Sequence, residues 1–246
     1  MPILEEFFLN DKVVFIAGDG GGHTVDLARA FAEAGAKIFI MSPRQDTVEN
    51  SMIAVSALKG EALGLIGDPS DADSIVKAKE ALLPIWGCID VLVNNTRFGL
   101  NKRFIETTDE NWSHLIDLNL GSARLLSRLI GTEMLRNRRG KIIHIISGLS
   151  ERGLWNSAAF SASQGAIMQL MRSLALEWAR FNIQVNAIGI GWTTSGKDLL
   201  INKYIPLKRG IDVKEICSLA VFLASNSNTF ISGSPIYIDG GLMAHP

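Results

Sequence analysis

Apolar residues along the chain alternate between two patterns. Short runs apolar on both faces lie at Lys12–Ala17, Lys37–Met41, Ala62–Ile66, Ile89–Val93, Lys141–Ile146, Ile183–Ile188 and Pro235–Ile238. Helical periodicity fills the stretches at roughly 24–34, 45–58, 71–84, 109–136, 158–180 and 212–224. In the first of these Leu27, Ala30, Phe31 and Ala34 share one face, and Gly35 ends it. Strands without a polar face, each followed by a helix, predict an α/β fold with a parallel sheet covered on both sides. Right-handed crossovers make that sheet doubly wound, with seven strands. No linker, repeat or low-complexity tract interrupts residues 1–246, so one domain is expected.

Composition narrows the function classes. The 246 residues carry 24 Lys and Arg against 25 Asp and Glu, a net charge of −1, which argues against a nucleic-acid partner. With 47% hydrophobic residues the chain can bury a large core. The two cysteines, Cys88 and Cys217, imply no disulfide framework and fit a reduced, cytoplasmic setting. No apolar run is long enough for a membrane span, and Met1–Asn10 carries Glu5 and Glu6 rather than a basic leader. No metal site is read from the residue spacing.

In a doubly wound sheet, ligands sit beyond the carboxyl ends of the strands. The first such turn, Ala17–Thr24, reads AGDGGGHT. Gly18, Gly20 and Gly22 would let backbone N–H groups approach a phosphate at a helix start. Asp19 places a carboxylate where an anion would sit, and Thr24 places a branched side chain at the helix start. After the second strand no acid stands at position 42 for a ribose hydroxyl; Arg44 either meets a 2′-phosphate or is merely solvated.

Taken together, these motifs resemble the short-chain dehydrogenase/reductase family over essentially the whole chain. Gly18-x-x-x-Gly22-His23-Thr24 is similar to that family's glycine turn, and Asn94-Asn95-Thr96-Arg97 to its Asn-Asn-Ala-Gly. Asp68 stands at its adenine-contacting Asp, and Asn119 and Ser147 at its active-site Asn and Ser. Ile190-Gly191 takes the place of its Pro-Gly, and Ile238-Asp239-Gly240-Gly241 matches its C-terminal segment. The resemblance implies a Rossmann-type fold and hydride transfer between NAD(P) and an alcohol or carbonyl. It also implies a cofactor site at Gly18, Gly20, Gly22, Arg44, Asp68, Asn94, Gly191 and Thr194.

The family's acid/base pair, however, is absent. Its Tyr falls thirteen residues after the Ser and its Lys four further on; those positions hold Phe160 and Gln164. The only tyrosines, Tyr204 and Tyr237, lie elsewhere in the sequence. A Tyr hydroxyl titrates near ~10, and a neighbouring ammonium lowers it toward the working pH. Phe160 keeps the ring without the proton, and Gln164 keeps a hydrogen-bonding arm without the charge. Positioned acid/base catalysis is typically worth ~10²–10⁴ in rate. Ser147 and Asn119 then read as vestigial. His144 should face away from Ser147 by strand alternation, which leaves Glu151 and Arg152 as the charged candidates for rescue chemistry. Arg97 replaces a glycine; turned inward it would fill the nucleotide cleft, pairing with Asp19, and turned outward it would be a surface charge.

Thr24, Arg97, Phe160, Gln164 and Ile190 all fall on cofactor or catalytic positions, while the core pattern stays intact. The leading expectation is a catalytically impaired homologue, with NAD(P) bound weakly or not at all. Its role would be a non-catalytic subunit beside an active family member in a heterotetramer, without nucleic acid, membrane or metal. Ile167, Leu170, Met171, Leu174 and Leu176 are expected to supply interface as well as core, and Trp192 to line a substrate pocket or pack in the core. The alternatives are a reductase with a different proton donor, or a module that binds a nucleotide or an acyl-CoA.

Overall fold

The computed structural model describes residues 2–192 and 203–244. Seven strands form one parallel sheet: β1 (Val13–Ala17), β2 (Lys37–Ser42), β3 (Ala62–Ile66), β4 (Val91–Asn94), β5 (Gly140–Ser147), β6 (Ile183–Ile190) and β7 (Pro235–Ile238). Their order is β3-β2-β1-β4-β5-β6-β7. Each predicted strand is present, within a few residues at its ends.

Strand alternation divides the core in two. Val14 and Ile16 of β1 face α1 (Thr24–Glu33) and α2 (Gln45–Ser56), together with α7 (Val213–Ala224). Val13, Phe15 and Ala17 face the other layer, α3 (Ala72–Trp86), α5 (Ser122–Asn137) and α6 (Ala158–Trp178). Phe15 stacks on Phe39 at 5.0 Å, so the central strands are locked by aromatic as well as aliphatic packing. The interior strands are buried on both sides, which is why their sequences show no polar alternation.

The expected helix at 109–136 is in fact two. The segment α4 (Asp109–Ile116) runs into a π-helical turn at Asp117–Gly121 before α5 begins. The extra residue in that turn is accommodated where Asn119 leaves the helix to bond the backbone of Phe98. Apolar spacing is blind to such a turn, since both flanks keep the helical period.

Strand β1 lies between β2 and β4, and the winding reverses there. The turns after β1 and β4 therefore flank the crevice in which such sheets bind ligands. Among the described residues no helix is long and apolar enough to cross a membrane. Of the apolar residues expected to serve as core and interface, Ile167 and Met171 are buried, Leu170 and Leu174 are half-buried, and Leu176 is 83% exposed.

Candidate functional site

The turn after β1 is built tightly. Gly18 adopts φ +90°, and a Cβ there would lie 2.7 Å from the Asn95 carbonyl oxygen, so only glycine fits. The Gly20 N–H donates to Asn95 O at 2.6 Å, and the Gly22 N–H to Asp19 O at 3.3 Å. Thr24 is fully buried rather than projecting over the helix start. Its Oγ1 donates to Gly18 O at 2.8 Å and accepts from Asn95 Nδ2 at 3.0 Å, tying the turn to the end of β4.

Arg97 reaches this turn from the far side. Its Cβ would lie 2.8 Å from a Cβ on Gly20, and its Nη2 2.5 Å from one on Gly21. The guanidinium therefore lies over the glycines, half-buried, with no hydrogen bond or ion pair among the described residues. Burial pushes its pKa below the usual arginine value. Burial, followed by the charge of Arg97, also lowers the pKa of His23, whose buried Nε2 has no partner.

The expected ion pair between Arg97 and Asp19 does not form. Asp19 turns instead toward the start of α2, where it accepts from Thr47 Oγ1 at 2.8 Å and lies 3.6 Å from Arg44 Nε. Arg97 approaches from β4, on the opposite side of the turn. Thr47 is a site residue that the sequence reading missed; a carboxylate inside a glycine turn was the available signal that a donor must stand nearby. Arg44 is exposed and grips Asp46 through two bonds, at 2.6 and 3.1 Å. Asp68 accepts from the backbone and hydroxyl of Ser70 at 2.8 and 2.7 Å, closing a local turn.

Asn94 serves the frame. Its Oδ1 accepts from the Thr96 backbone and hydroxyl, and its Nδ2 lies 3.1 Å from His144 Nδ1. His144 is fully buried on the face of β5 shared with Ile142 and Ile146, alternating away from the Ser147 side chain. Burial lowers its pKa to about 4, so it is neutral at ordinary pH. The Asn94 amide donates to Nδ1, which places the ring proton on Nε2.

At the family's acid/base positions, the Phe160 ring packs with Leu115 and Ala159 against Leu100 and Trp112. The Gln164 side chain is fully buried, and its Oε1 accepts from the Ser147 backbone N–H at 2.8 Å. Its Nε2 is buried without a partner. Asn119 bonds the Phe98 N–H and carbonyl at 2.8 and 2.9 Å, and donates to Ser163 Oγ at 3.0 Å. Ser163 in turn donates to Phe160 O at 2.7 Å, another contact not foreseen from sequence. Phe160, Gln164, Ser147 and Asn119 are thus brought together.

Glu151 and Arg152 are held elsewhere. Glu151 pairs with Arg172 at 3.5 Å, and Arg152 donates to Leu242 O at 2.6 Å. Gly191 packs on Asp239, its would-be Cβ 2.8 Å from Asp239 Cα. Trp192 is half-buried and meets Tyr204 edge-on at 5.9 Å. Thr194 lies outside the described residues.

Residues 22–243 match the family model described as enoyl-(acyl carrier protein) reductase. The chain belongs to the short-chain dehydrogenase/reductase family. Relatives named as dehydrogenases and reductases cover 96–98% of it. The 2-dehydro-3-deoxy-D-gluconate 5-dehydrogenase of Pseudoalteromonas atlantica is 34% identical over 98% of this chain and 99% of its own. The 5-keto-D-gluconate 5-reductase of Escherichia coli K12 is 32% identical over 96% of this chain and 97% of its own. The crystal structure of a gluconate 5-dehydrogenase from Burkholderia cenocepacia, in complex with NADP and tartrate, superimposes with a TM-score of 0.92. It is 28% identical and covers 99% of each chain. The seven-stranded Rossmann-type sheet is the fold of this dehydrogenase.

Proposed function

We propose that this chain is a short-chain dehydrogenase/reductase homologue that does not catalyse hydride transfer by itself and acts as a non-catalytic subunit beside an active family member. One observation carries the reading. At the proton-transfer positions stand an apolar ring set in an apolar cluster, Phe160, and a neutral amide committed to the Ser147 backbone, Gln164. An alkoxide forming there would meet no proton donor of suitable pKa, because the remaining side chains are hydroxyls and amides. The buried His144 is engaged instead by Asn94 Nδ2 at 3.1 Å, and burial keeps its ring neutral.

The glycine turn supports weak or absent NAD(P) binding. The amides of Gly20 and Gly22 are spent on internal carbonyls, and the Arg97 side chain covers Gly20 and Gly21. A diphosphate seated on this turn would have to displace both, so the turn as it stands does not fit the dinucleotide, and no chemical step is derived through it.

The partner in this reading is an active short-chain dehydrogenase in a heterotetramer. The chain, with its acid/base pair replaced, resembles the inactive partner subunit of the heteromeric 2-(α-hydroxybenzyl)succinyl-CoA dehydrogenase. The substrate class that goes with this resemblance is a hydroxyacyl-CoA. A second reading, an NAD(P)-dependent reductase with a different proton donor, is favoured by the names of the relatives, which are dehydrogenases and reductases of sugar acids.

Two experiments separate the readings. The purified chain is assayed with NADH and NADPH against 5-keto-D-gluconate, and it is co-expressed with an active family subunit for native mass spectrometry. The proposal expects no turnover above background and a mixed tetramer. Turnover by the isolated chain, or homo-oligomers alone, would overturn it.

A further inference from the structure

We infer that Lys141, at the amino end of the sheet, is a nucleophilic amine that takes an acyl group from an acyl thioester on an anionic carrier. Lys141 is the second residue of β5, whereas the ligand crevice lies at the carboxyl ends of the strands. The inference therefore does not rest on the reading of Phe160 and Gln164.

The surroundings isolate the amine from negative charge. Lys141 stands in register with Val91 of β4 and Gln184 of β6, so neither adjoining strand offers it an acid there. Its side chain is half-buried and donates to the main-chain oxygen of Asn228, just beyond α7. Asn228 is itself fixed: its Nδ2 donates to Leu223 O at 3.1 Å, and its Oδ1 accepts from the Ile231 N–H at 3.1 Å. Among the described residues no carboxylate lies within ion-pair distance of Lys141. Asp90 is taken by Arg139 Nε at 3.3 Å and Lys12 Nζ at 3.9 Å. Glu5, Glu6 and Asp11 of the N-terminal segment form no ion pair with it, and α7 carries its Lys214 and Glu215 at the far end.

Burial without an opposite charge, followed by the positive charge of Lys12, pushes the Lys141 pKa down to about 8. At pH 7 about a tenth of the amine is then neutral, against about one part in 2,500 for an exposed lysine. The Asn228 carbonyl takes one N–H and leaves the nitrogen lone pair free. That nitrogen attacks the thioester carbonyl, the C–S bond breaks, and an amide forms. The thiolate leaves and takes up the proton that the nitrogen gives up. The amide keeps one N–H for Asn228 O. Charge selects the carrier. The chain entering β5 reads Arg136-Asn137-Arg138-Arg139-Gly140-Lys141. Arg136 pairs with Glu133 at 3.0 Å, whereas Arg138 lies over the Phe181 ring and donates to Arg180 O. With Lys12 and Arg139 sharing Asp90, this end of the sheet has a positive excess that attracts a phosphate-bearing carrier.

The test mixes the full chain with acetyl-CoA from neutral to alkaline pH and follows each lysine by peptide mass spectrometry. At pH 7 Lys141 should acetylate at least ~10-fold faster than the exposed Lys59, since its larger neutral fraction outweighs its lower basicity. Its rate should rise to a plateau with a midpoint of about 8. Lys12→Gln removes the nearby like charge and should move that midpoint upward. Lys141→Arg should lose the modified peptide and leave the Lys59 rate unchanged. The neutral thioester S-acetyl-N-acetylcysteamine should react several-fold more slowly than acetyl-CoA. The preference for Lys141 should vanish when the chain is unfolded in urea. A Lys141 rate no greater than that of Lys59, a midpoint unmoved by Lys12→Gln, equal rates with the two thioesters, or a preference that survives unfolding would each overturn the inference.

Discussion

Gln164 Oε1 accepts a hydrogen bond from the backbone N–H of Ser147 at 2.8 Å. This bond joins the second turn of α6 to the end of β5, at the two positions where the family's Lys and Ser act. It turns a site for moving a proton into a fixed structural joint. Replacing Gln164 by Ala would leave a buried amide donor without an acceptor. That should cost about 1–3 kcal/mol, read as a lower urea midpoint. An unchanged midpoint would show that the joint carries no stability.

Rebuilding the acid/base pair should not be enough. Phe160→Tyr with Gln164→Lys supplies a phenol and an ammonium, yet Arg97 still covers Gly20 and Gly21. The double variant should therefore stay within about ten-fold of background in NADPH-linked assays. The triple variant with Arg97→Gly should gain ~10²–10⁴, the usual worth of positioned acid/base catalysis. Robust turnover by the double variant would mean that Arg97 does not close the cleft.

Cofactor binding can be tested without chemistry. Arg97→Gly removes the side chain that covers the turn and restores the residue the family carries there. Calorimetric titration with NADH and NADPH should show at least ~10-fold tighter binding than the parent chain, about 1.4 kcal/mol. Weaker binding by the variant would recast Arg97 as a phosphate ligand.

Thr24 departs from the family's glycine but stabilises this turn. Thr24→Val keeps the shape and removes the hydroxyl that bridges Gly18 O and Asn95 Nδ2. Two buried polar groups then lose their partner, and thermal or urea unfolding should register a loss of about 1–3 kcal/mol.

The pH dependence of stability should carry the signature of His144. Burial holds its folded pKa at about 4, against 6.5 for the exposed ring. Between these values the unfolded chain binds a proton that the folded chain refuses. The contribution is complete above pH 6.5 and is lost progressively as pH falls toward 4. It amounts to ~3 kcal/mol at 1.36 kcal/mol per unit. Urea midpoints at pH 7 and pH 4.5 should therefore differ more for the parent chain than for His144→Asn, which keeps an acceptor for Asn94. Equal differences would assign the acid loss to other groups.

Much of this was legible from sequence for a physical reason. Strands buried on both faces leave uninterrupted apolar runs, and the register from Ser147 to Phe160 and Gln164 is fixed by local spacing. Side-chain direction was not legible. Asp19 points to Thr47 on a helix far along the chain, and Arg97 comes in from another strand end. Their separation follows from which side of the turn each approaches. The π turn at Asn119 was hidden because its flanks keep helical spacing.

The central claim is that the isolated chain transfers no hydride. It is tested most directly by single-turnover mixing of the purified, folded chain, in molar excess, with NADPH or NADH and 5-keto-D-gluconate, followed by nicotinamide absorbance. The account predicts no decay of either reduced cofactor beyond the protein-free rate. Decay that tracks the concentration of the chain and vanishes with a Ser147→Ala variant would contradict it.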